Sequence, residues 1–293
     1  MVTLKINGAI KELGSLTALV FTDNDGEESD ELSLTFCGLW KRPAYGDAID
    51  LWIKGNFMGK FVVQTSERSN NNELSVTASG ANFATLKTKR DFAYENTTLK
   101  DIAAIVAARH GLQVKSDADI SLPYIAQQNE SDSAFMARAA KDYDLLFSVK
   151  NATLLLLKRD KETLPHYTIN VSECSAIRIK HTDRPQYKSA LGIWHDETTN
   201  ETKQITIGSG DPQLRVERRF KDEEQAKAKT EAALKVALRG AVSGSLTCAG
   251  APIYAGGVLN LKGSAEDDGE YSIKQVRHDV GSGGWTCEAQ FEN

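Results

Sequence analysis

The chain has 293 residues, which is long for a single hydrophobic core and predicts two or three domains. Its apolar fraction of 41% is ordinary for a globular protein, and its net charge of -5 gives no support to nucleic-acid recognition or to binding at an acidic membrane surface. The N-terminus lacks the apolar core of a signal peptide, and no run approaches the roughly 20 apolar residues of a stable membrane span.

The pattern of residues 1–86 predicts short strands and a first β-barrel-like domain. In "ELSLTF" the side chains of Leu32, Leu34 and Phe36 fall on one face, which assigns them to a core rather than to an interface. "VTLKI", "AIDLWI", "KFVVQT" and "ELSVTASG" are further β-rich runs. Clusters of Gly, Asn and Asp separate these runs at intervals typical of antiparallel meanders and small barrels.

Residues 87–165 change to a helical period and predict a small α/β module. Apolar residues recur at helical spacing in "TTLKDIAAIVAARHGL", where Thr98 with Asp101 resembles a capping box. A second predicted helix begins at "NESDSAFMARAAKDYDLLF", with Ser131 or Asp132 as its N-cap. It leads into two apolar strands joined by the Asn-containing turn of "VKNATL", which indicates a hairpin.

Strands resume over residues 166–293 and predict a second β-barrel-like domain. One long helix is expected within it at about 220–240, in "FKDEEQAKAKTEAALKVALRG". Acidic residues beginning at Asp222 lie at the positive end of its dipole, and Gly240 ends it. The predicted fold class is therefore α+β and mainly β, with two β-barrel-like domains flanking the α/β module.

Two short motifs imitate functional loops. "GNFMGKF" at 55–61 has only three residues between its glycines, and Phe61 follows Lys60 where a P-loop needs Ser or Thr, so a tight turn between strands is expected. "TDNDGEESDEL" resembles a calcium loop, but the first and last ligands would be Phe21 and Leu32. A solvated acidic hairpin loop is expected there instead.

The last stretch, "DDGEYSIKQVRHDVGSGGWTCEAQFEN", contains the ingredients of a nucleophilic site in His278 and Cys287. However, Trp285, Cys287, Ala289 and Phe291 alternate with polar residues and indicate one buried strand face. A closing hairpin with a structural hydrogen bond at His278 is therefore expected. The five histidines and four cysteines are dispersed, so no residue is assigned to a catalytic, cofactor-binding or metal site.

Several segments resemble one known family. "SDSAFMARAAKDYDLLFSVKNATLLLL" resembles its inserted module, and "EEQAKAKTEAALKVALRG" resembles its late Ala-rich helix. "AGAPIYAGGVLNLKGSAEDDGEYSIKQVRHDVGSGGWTCEAQF" resembles its C-terminal block. The family is the phage late control gene D proteins, the baseplate hub proteins of contractile tails, which are related to the N-terminal region of type VI secretion spike proteins.

The resemblance implies a structural, non-enzymatic virion protein that is made in the bacterial host cytoplasm and built into the tail baseplate. It implies a homotrimeric ring that adapts the sixfold tail tube to the threefold spike around a central channel. The expected partners are the central spike protein, the tail tube protein, the tape-measure protein and other baseplate proteins. No cofactor, specific nucleic-acid recognition or stable membrane insertion is expected. Because Asn293 directly follows the block, cell-wall hydrolysis is expected from a separate partner.

Two alternatives stay open at this point. One is a cell-wall-degrading or cysteine-type hydrolase that uses His278 with Cys287 or Cys248. The other is a receptor- or glycan-binding β module, in which tryptophans would stack on sugars. Of the four tryptophans, Trp52 and Trp285 lie inside strand patterns and are expected in the core.

Overall fold

Strands dominate the computed structural model, which describes residues 2–11, 15–26, 29–69, 71–80, 86–183, 187–196, 199–217 and 220–293. The first part of the chain forms seven strands: β1 Val2–Ile6, β2 Ala9–Lys11, β3 Leu16–Asn24, β4 Glu31–Cys37, β5 Ala48–Ile53, β6 Asn56–Arg68 and β7 Glu73–Ser79. The mainly β prediction for this part is confirmed.

The middle of the chain contains both predicted helices. Its elements are β8 Lys89–Thr98, α1 Leu99–Arg109, β9 Gln113–Ser116, β10 Ser121–Ser131, α2 Asp132–Asp142, β11 Leu145–Lys150 and β12 Thr153–Lys158. β8 and β10 form a two-stranded ribbon, and β11, β12 and β9 form a small sheet. The two helices and these strands enclose a hydrophobic core of their own. This part is called the module below.

The last part adds the remaining strands and one helix: β13 His166–Asn170, β14 Cys174–His181, β15 Ser189–Asp196, β16 Glu201–Gly208, β17 Gln213–Glu217, α3 Glu223–Leu238, β18 Val242–Ala249, β19 Val258–Lys262, β20 Gly269–Gly281 and β21 Gly284–Glu292. The predicted long helix is therefore confirmed. It packs beside the sheet β16-β15-β17 around a small core.

Strands from the first and last parts join in one 13-stranded sheet, called the main sheet. Its path runs β14-β18-β21-β20-β3-β4-β7-β6-β5-β1-β2, with β19 paired to β20 and β13 to β19. The sheet is not closed into two barrels, because β3 pairs with β4 on one side and with β20 on the other. One hydrophobic core accordingly takes side chains from both parts. The domain boundaries after residues 86 and 165 stay a prediction.

Local signals in the sequence explain the ends of the helices. Thr98 and Ser131 are N-caps, and their side chains accept hydrogen bonds from the backbone N–H groups of Asp101 and Ala134. Asp222 caps α3 in the same way. The hairpin between β11 and β12 turns at two residues in the left-handed region, as a tight two-residue connection requires.

The "GNFMGKF" segment lies mostly inside β6 rather than in a turn. The turn itself is made one step earlier, at Lys54 and Gly55, which both have positive φ. The segment thus begins in a tight turn between two strands, as predicted, and is not a phosphate loop. The turn lies nearer to β5 than the motif suggested.

Candidate functional site

The closing hairpin brings His278 and Cys287 together. They face each other across β20 and β21, with Nδ1 of the imidazole 3.0 Å from the thiol Sγ. The imidazole Nε2 lies 3.1 Å from the carbonyl oxygen of Ile253, and the indole N–H of Trp285 donates toward Nδ1 at 3.3 Å. Both side chains are fully buried, and Phe21 stacks on the imidazole. The predicted structural hydrogen bond is confirmed.

The protonation chemistry of this pair opposes nucleophilic catalysis. Burial lowers the pKa of His278 to about 4, against a smaller opposing effect of Asp23. Burial also raises the pKa of the Cys287 thiol to about 12. At neutral pH both groups are therefore uncharged, whereas an activated cysteine is a thiolate beside a cation. The arrangement supports packing and hydrogen bonding of the hairpin.

Thiol reactivity should separate the cysteines of the folded chain. Cys37 is exposed, whereas Cys287 is buried and its raised pKa lowers its thiolate fraction about a thousandfold at pH 8. We expect iodoacetamide to modify Cys37 rapidly and Cys287 only after unfolding, as followed by peptide mass spectrometry. Alkylation of both at similar rates in the folded chain would contradict the burial described above.

The described part of the acidic "TDNDGEESDEL" segment is not a solvated loop, which corrects the prediction there, and residues 27 and 28 lie outside the described residues. The side chains of Asp23, Asp25 and Asp30 are almost fully buried, because the segment packs against the module. Lys150 of β11 forms a buried ion pair with Asp23. Charged partners and backbone N–H groups compensate the burial of the Asp23 and Asp25 carboxylates, as buried charges require.

Four further contacts complete this junction between the main sheet and the module. Asp25 accepts from Arg159 of the module at 3.3 Å and from Lys274 of β20 at 2.8 Å. The backbone N–H of Ala255 donates to Asp23 at 2.7 Å. Asp30 accepts from the backbone N–H of Asn24 at 3.0 Å. The acidic segment therefore links the main sheet, the module and the segment before β19.

The protonation of Asp30 makes this junction sensitive to pH. Burial and the neighbouring Asp23 raise the pKa of Asp30 to about 8, although Lys150 opposes the shift. Between the ordinary value of 3.8 and about 8, the folded chain thus holds a proton that the unfolded chain has lost. The contribution of Asp30 to stability therefore falls as pH rises through this window, by at most about 1.4 kcal/mol per pH unit.

Asp30→Asn should remove this pH dependence. Its amide oxygen still accepts from Asn24, but the position no longer titrates. We expect the wild type to lose stability relative to the variant as the pH rises from 5 to 8.5. Urea titrations at each pH measure the two unfolding free energies. The exposed Asp119→Asn is the matched control. A constant difference across that range would show that Asp30 is ionised throughout.

The outer face of the main sheet is polar over six adjacent strands. Residues that face away from the core bear mostly hydroxyl or carboxylate groups: Thr22, Glu31, Ser33, Thr35, Ser75, Thr77, Ser245, Thr247, Asp279, Thr286 and Glu288. One row across the sheet reads Thr247, Glu288, Arg277, Thr22 and Glu31. The guanidinium in that row is held by Asp279, at 2.8 and 3.1 Å. This surface is called the hydroxyl face.

The four tryptophan rings are not exposed together on one surface where they could stack on a glycan. Trp285 is buried, as predicted, and Trp194 is also buried. Trp52 is only half-buried on the outer side of β5, under the ammonium of Lys5 at 4.9 Å, so its assignment to the core was wrong. Trp40 stacks on Phe36 at 4.0 Å between ring centres.

Within the described residues, no group of three or more His, Cys, Asp or Glu side chains is placed to hold a metal ion. None of the helices in the described part combines the length and apolar character needed to cross a membrane.

Comparison with known proteins identifies relatives. A family model for the phage tail baseplate hub (GPD) matches residues 61–284. A probable baseplate hub protein of Escherichia phage P2 is 30% identical over 198 residues, which are 61% of this chain and 51% of that protein. The prophage MuSo2 tail protein of Shewanella oneidensis has a TM-score of 0.77 at 16% identity, covering 99% of this chain and 97% of its own. A type VI secretion system component of E. coli has a TM-score of 0.65 at 11% identity, covering 98% of this chain and 76% of its own.

These similarities differ in what they show. The solved structures are distant in sequence and show a shared fold. The chain spans about half the length of the curated relatives it matches. The family model, in contrast, matches most of the chain, including the module and strand β20 of the closing hairpin. The chain therefore belongs to the phage tail baseplate hub (GPD) family.

Proposed function

We propose that three copies of this chain form a ring that adapts the sixfold tail tube to the threefold spike and surrounds a central channel. The central spike protein, the tail tube protein, the tape-measure protein and other baseplate proteins are its partners in this role, and it performs no catalysis. Family membership supports the baseplate role. The observation that supports the central channel is the hydroxyl face.

The chemistry of the hydroxyl face suits the wall of a conduit for DNA. Hydroxyl groups hydrate well and carry no net charge, so they add no long-range attraction for phosphates, and the carboxylates of Glu31 and Glu288 repel phosphates. The guanidinium of Arg277 is neutralised by Asp279, at 2.8 Å. DNA would therefore pass such a wall without being held.

Ring formation also gives a role to the open ends of the main sheet. Strands β2 and β14 stand at the two ends of its main path and β13 at the end of its side branch, and each pairs with one strand within the described residues. Exposed strand edges favour contact with another chain, and a closed ring of identical copies leaves few of them free. The ring thus accounts for a long sheet that does not close on itself.

Reversing charge on the hydroxyl face tests the channel. In a phage that carries this chain, Glu31→Lys with Glu288→Lys would place ammonium groups along the DNA path. We expect particles that assemble normally but deliver DNA at least about tenfold less well, because each new phosphate contact slows passage. The double variant Glu95→Lys with Glu201→Lys, at exposed positions off this face, is the control. Normal infectivity of the first double variant would contradict a channel lined by this face.

The hydrolase alternative is tested by Cys287→Ala, which removes the thiol that this alternative uses in the hairpin, at little cost in volume. A structural hub predicts that folded Cys287→Ala chains still yield infectious or killing particles at wild-type levels. Loss of cell-wall hydrolysis by otherwise intact particles would favour the hydrolase.

A further inference from the structure

The loop between β4 and β5 exposes apolar side chains to an unusual degree. In this segment, called the 38–47 loop, Leu39 is 90% exposed and Tyr45 is 73% exposed. Single exposed apolar residues are common on protein surfaces. Two of them on one short loop, beside the exposed cations Lys41 and Arg42, have the composition of a protein-binding surface.

The 38–47 loop is held in place around Leu39. The guanidinium of Arg68 donates to the backbone carbonyls on both sides of it, those of Gly38 at 3.3 Å and Trp40 at 2.5 Å. The Trp40 ring stacks on Phe36, with the two planes 8° apart. The leucine side chain thus projects into solvent from a backbone that is fixed on either side.

The other end of the loop is tied to the edge of the main sheet. Asp47 accepts from the side chain of Asn7 at 2.8 Å and from the backbone N–H of Ala44 at 2.9 Å. Asn7 lies in the turn between β1 and β2, and β2 is the terminal strand of the main sheet. Ile10 in the middle of β2 is 70% exposed. The Asn7–Asp47 hydrogen bond therefore joins the loop to the turn that leads into the terminal strand.

We propose that the 38–47 loop and β2 form a docking surface for a second copy of this chain, with Leu39 as the anchor. The open strand edge favours a chain that can pair with it. The charges favour a second copy, because Lys41 and Arg42 approach a molecule whose net charge is -5. A loop fixed before contact loses little conformational entropy on binding, so burial of its leucine contributes to affinity. The proposal rests on the ring proposed above and names one of its contact surfaces.

Self-association of the full chain tests the surface, measured by sedimentation velocity over about a hundredfold range of concentration. We expect wild type to self-associate and Leu39→Asp to do so about tenfold more weakly or worse. Because Leu39 lies in solvent, the substitution leaves folding intact. Ile105→Asp, on an exposed position of α1, is the matched control and should behave as wild type.

A photocrosslinking amino acid at position 39 gives the second readout, and copies crosslinked to each other are expected. Unchanged association of Leu39→Asp would overturn the docking surface and leave the ring intact. Crosslinks only to a different protein would also overturn it. If the wild-type chain stays monomeric at every concentration, the 38–47 loop does not bind a second copy and the proposal is overturned. The ring proposed above would then be tested with the spike protein present.

Discussion

Gly26→Ala is expected to destabilise the chain by about 3 kcal/mol or more, because the position has no room for a side chain. A Cβ atom there would lie 1.3 Å from the carbonyl oxygen of Phe147 in β11. The obstacle is backbone of the module, so a side-chain rotation cannot relieve it. Gly26 also has a φ of +118°, in the region that residues with a Cβ rarely adopt.

Gly8→Ala is the matched control for this experiment. Gly8 also has a positive φ, of +79°, but an added Cβ would meet nothing within 4 Å. Its substitution should cost only the conformational strain, about 1 to 2 kcal/mol. Urea unfolding of the two variants measures the difference. Equal losses would show that the acidic segment does not pack against β11 as described.

Asp132→Ala is expected to cost about 3 kcal/mol, because it removes a fully buried carboxylate on which two partly exposed guanidinium groups converge. Asp132 is the first residue of α2 and is fully buried. It accepts hydrogen bonds from Arg109 at 2.8 Å, Gln127 at 3.0 Å and the imidazole of His110 at 2.7 Å. A second guanidinium, of Arg90, lies 3.3 Å away. One carboxylate thus connects α1, α2 and the ribbon of the module.

The pH dependence of this network is opposite in sign to that of Asp30. Burial raises the pKa of Asp132, but hydrogen bonds from Gln127, His110 and Arg109 outweigh it and hold the pKa below its usual value. The stabilisation is therefore present above about pH 4 and is lost as pH falls through the folded pKa.

Unfolding of Asp132→Ala followed by both circular dichroism and tryptophan fluorescence shows which part of the chain is destabilised. All four tryptophans lie outside residues 87–165, so fluorescence follows the rest of the chain while circular dichroism follows the whole. We expect an earlier transition by circular dichroism. Asp101→Ala, in the exposed first turn of α1, is the control and should cost about 1 kcal/mol. Equal effects of the two substitutions would contradict a buried network.

Local features of the fold were predictable because their causes are local. The caps at Thr98 and Ser131 follow from hydroxyl groups placed before an apolar helical period. The burial of Cys287 follows from alternation along one strand. In each case the structure is determined by residues that are close together in the sequence.

The pairing of β3 with β20 had no such local signal, because it joins residues about 250 positions apart. Two separate barrels were therefore predicted where one long sheet forms. The buried acidic segment, however, could have been found. Every second side chain of β3 points inward, as Leu19 and Phe21 do, and the same alternation places the carboxylate of Asp23 toward the core. Its partner Lys150 belongs to the module and could not be paired with it from spacing alone.

As a member of the phage tail baseplate hub family, the chain belongs to the tail of a virion. The stoichiometry of the chain purified together with the spike protein of the same phage is the most direct test of the ring. Native mass spectrometry of that complex should give three copies of this chain per spike trimer. A complex with any other number of copies per spike, or a chain that binds no spike at all, would contradict the proposed hub.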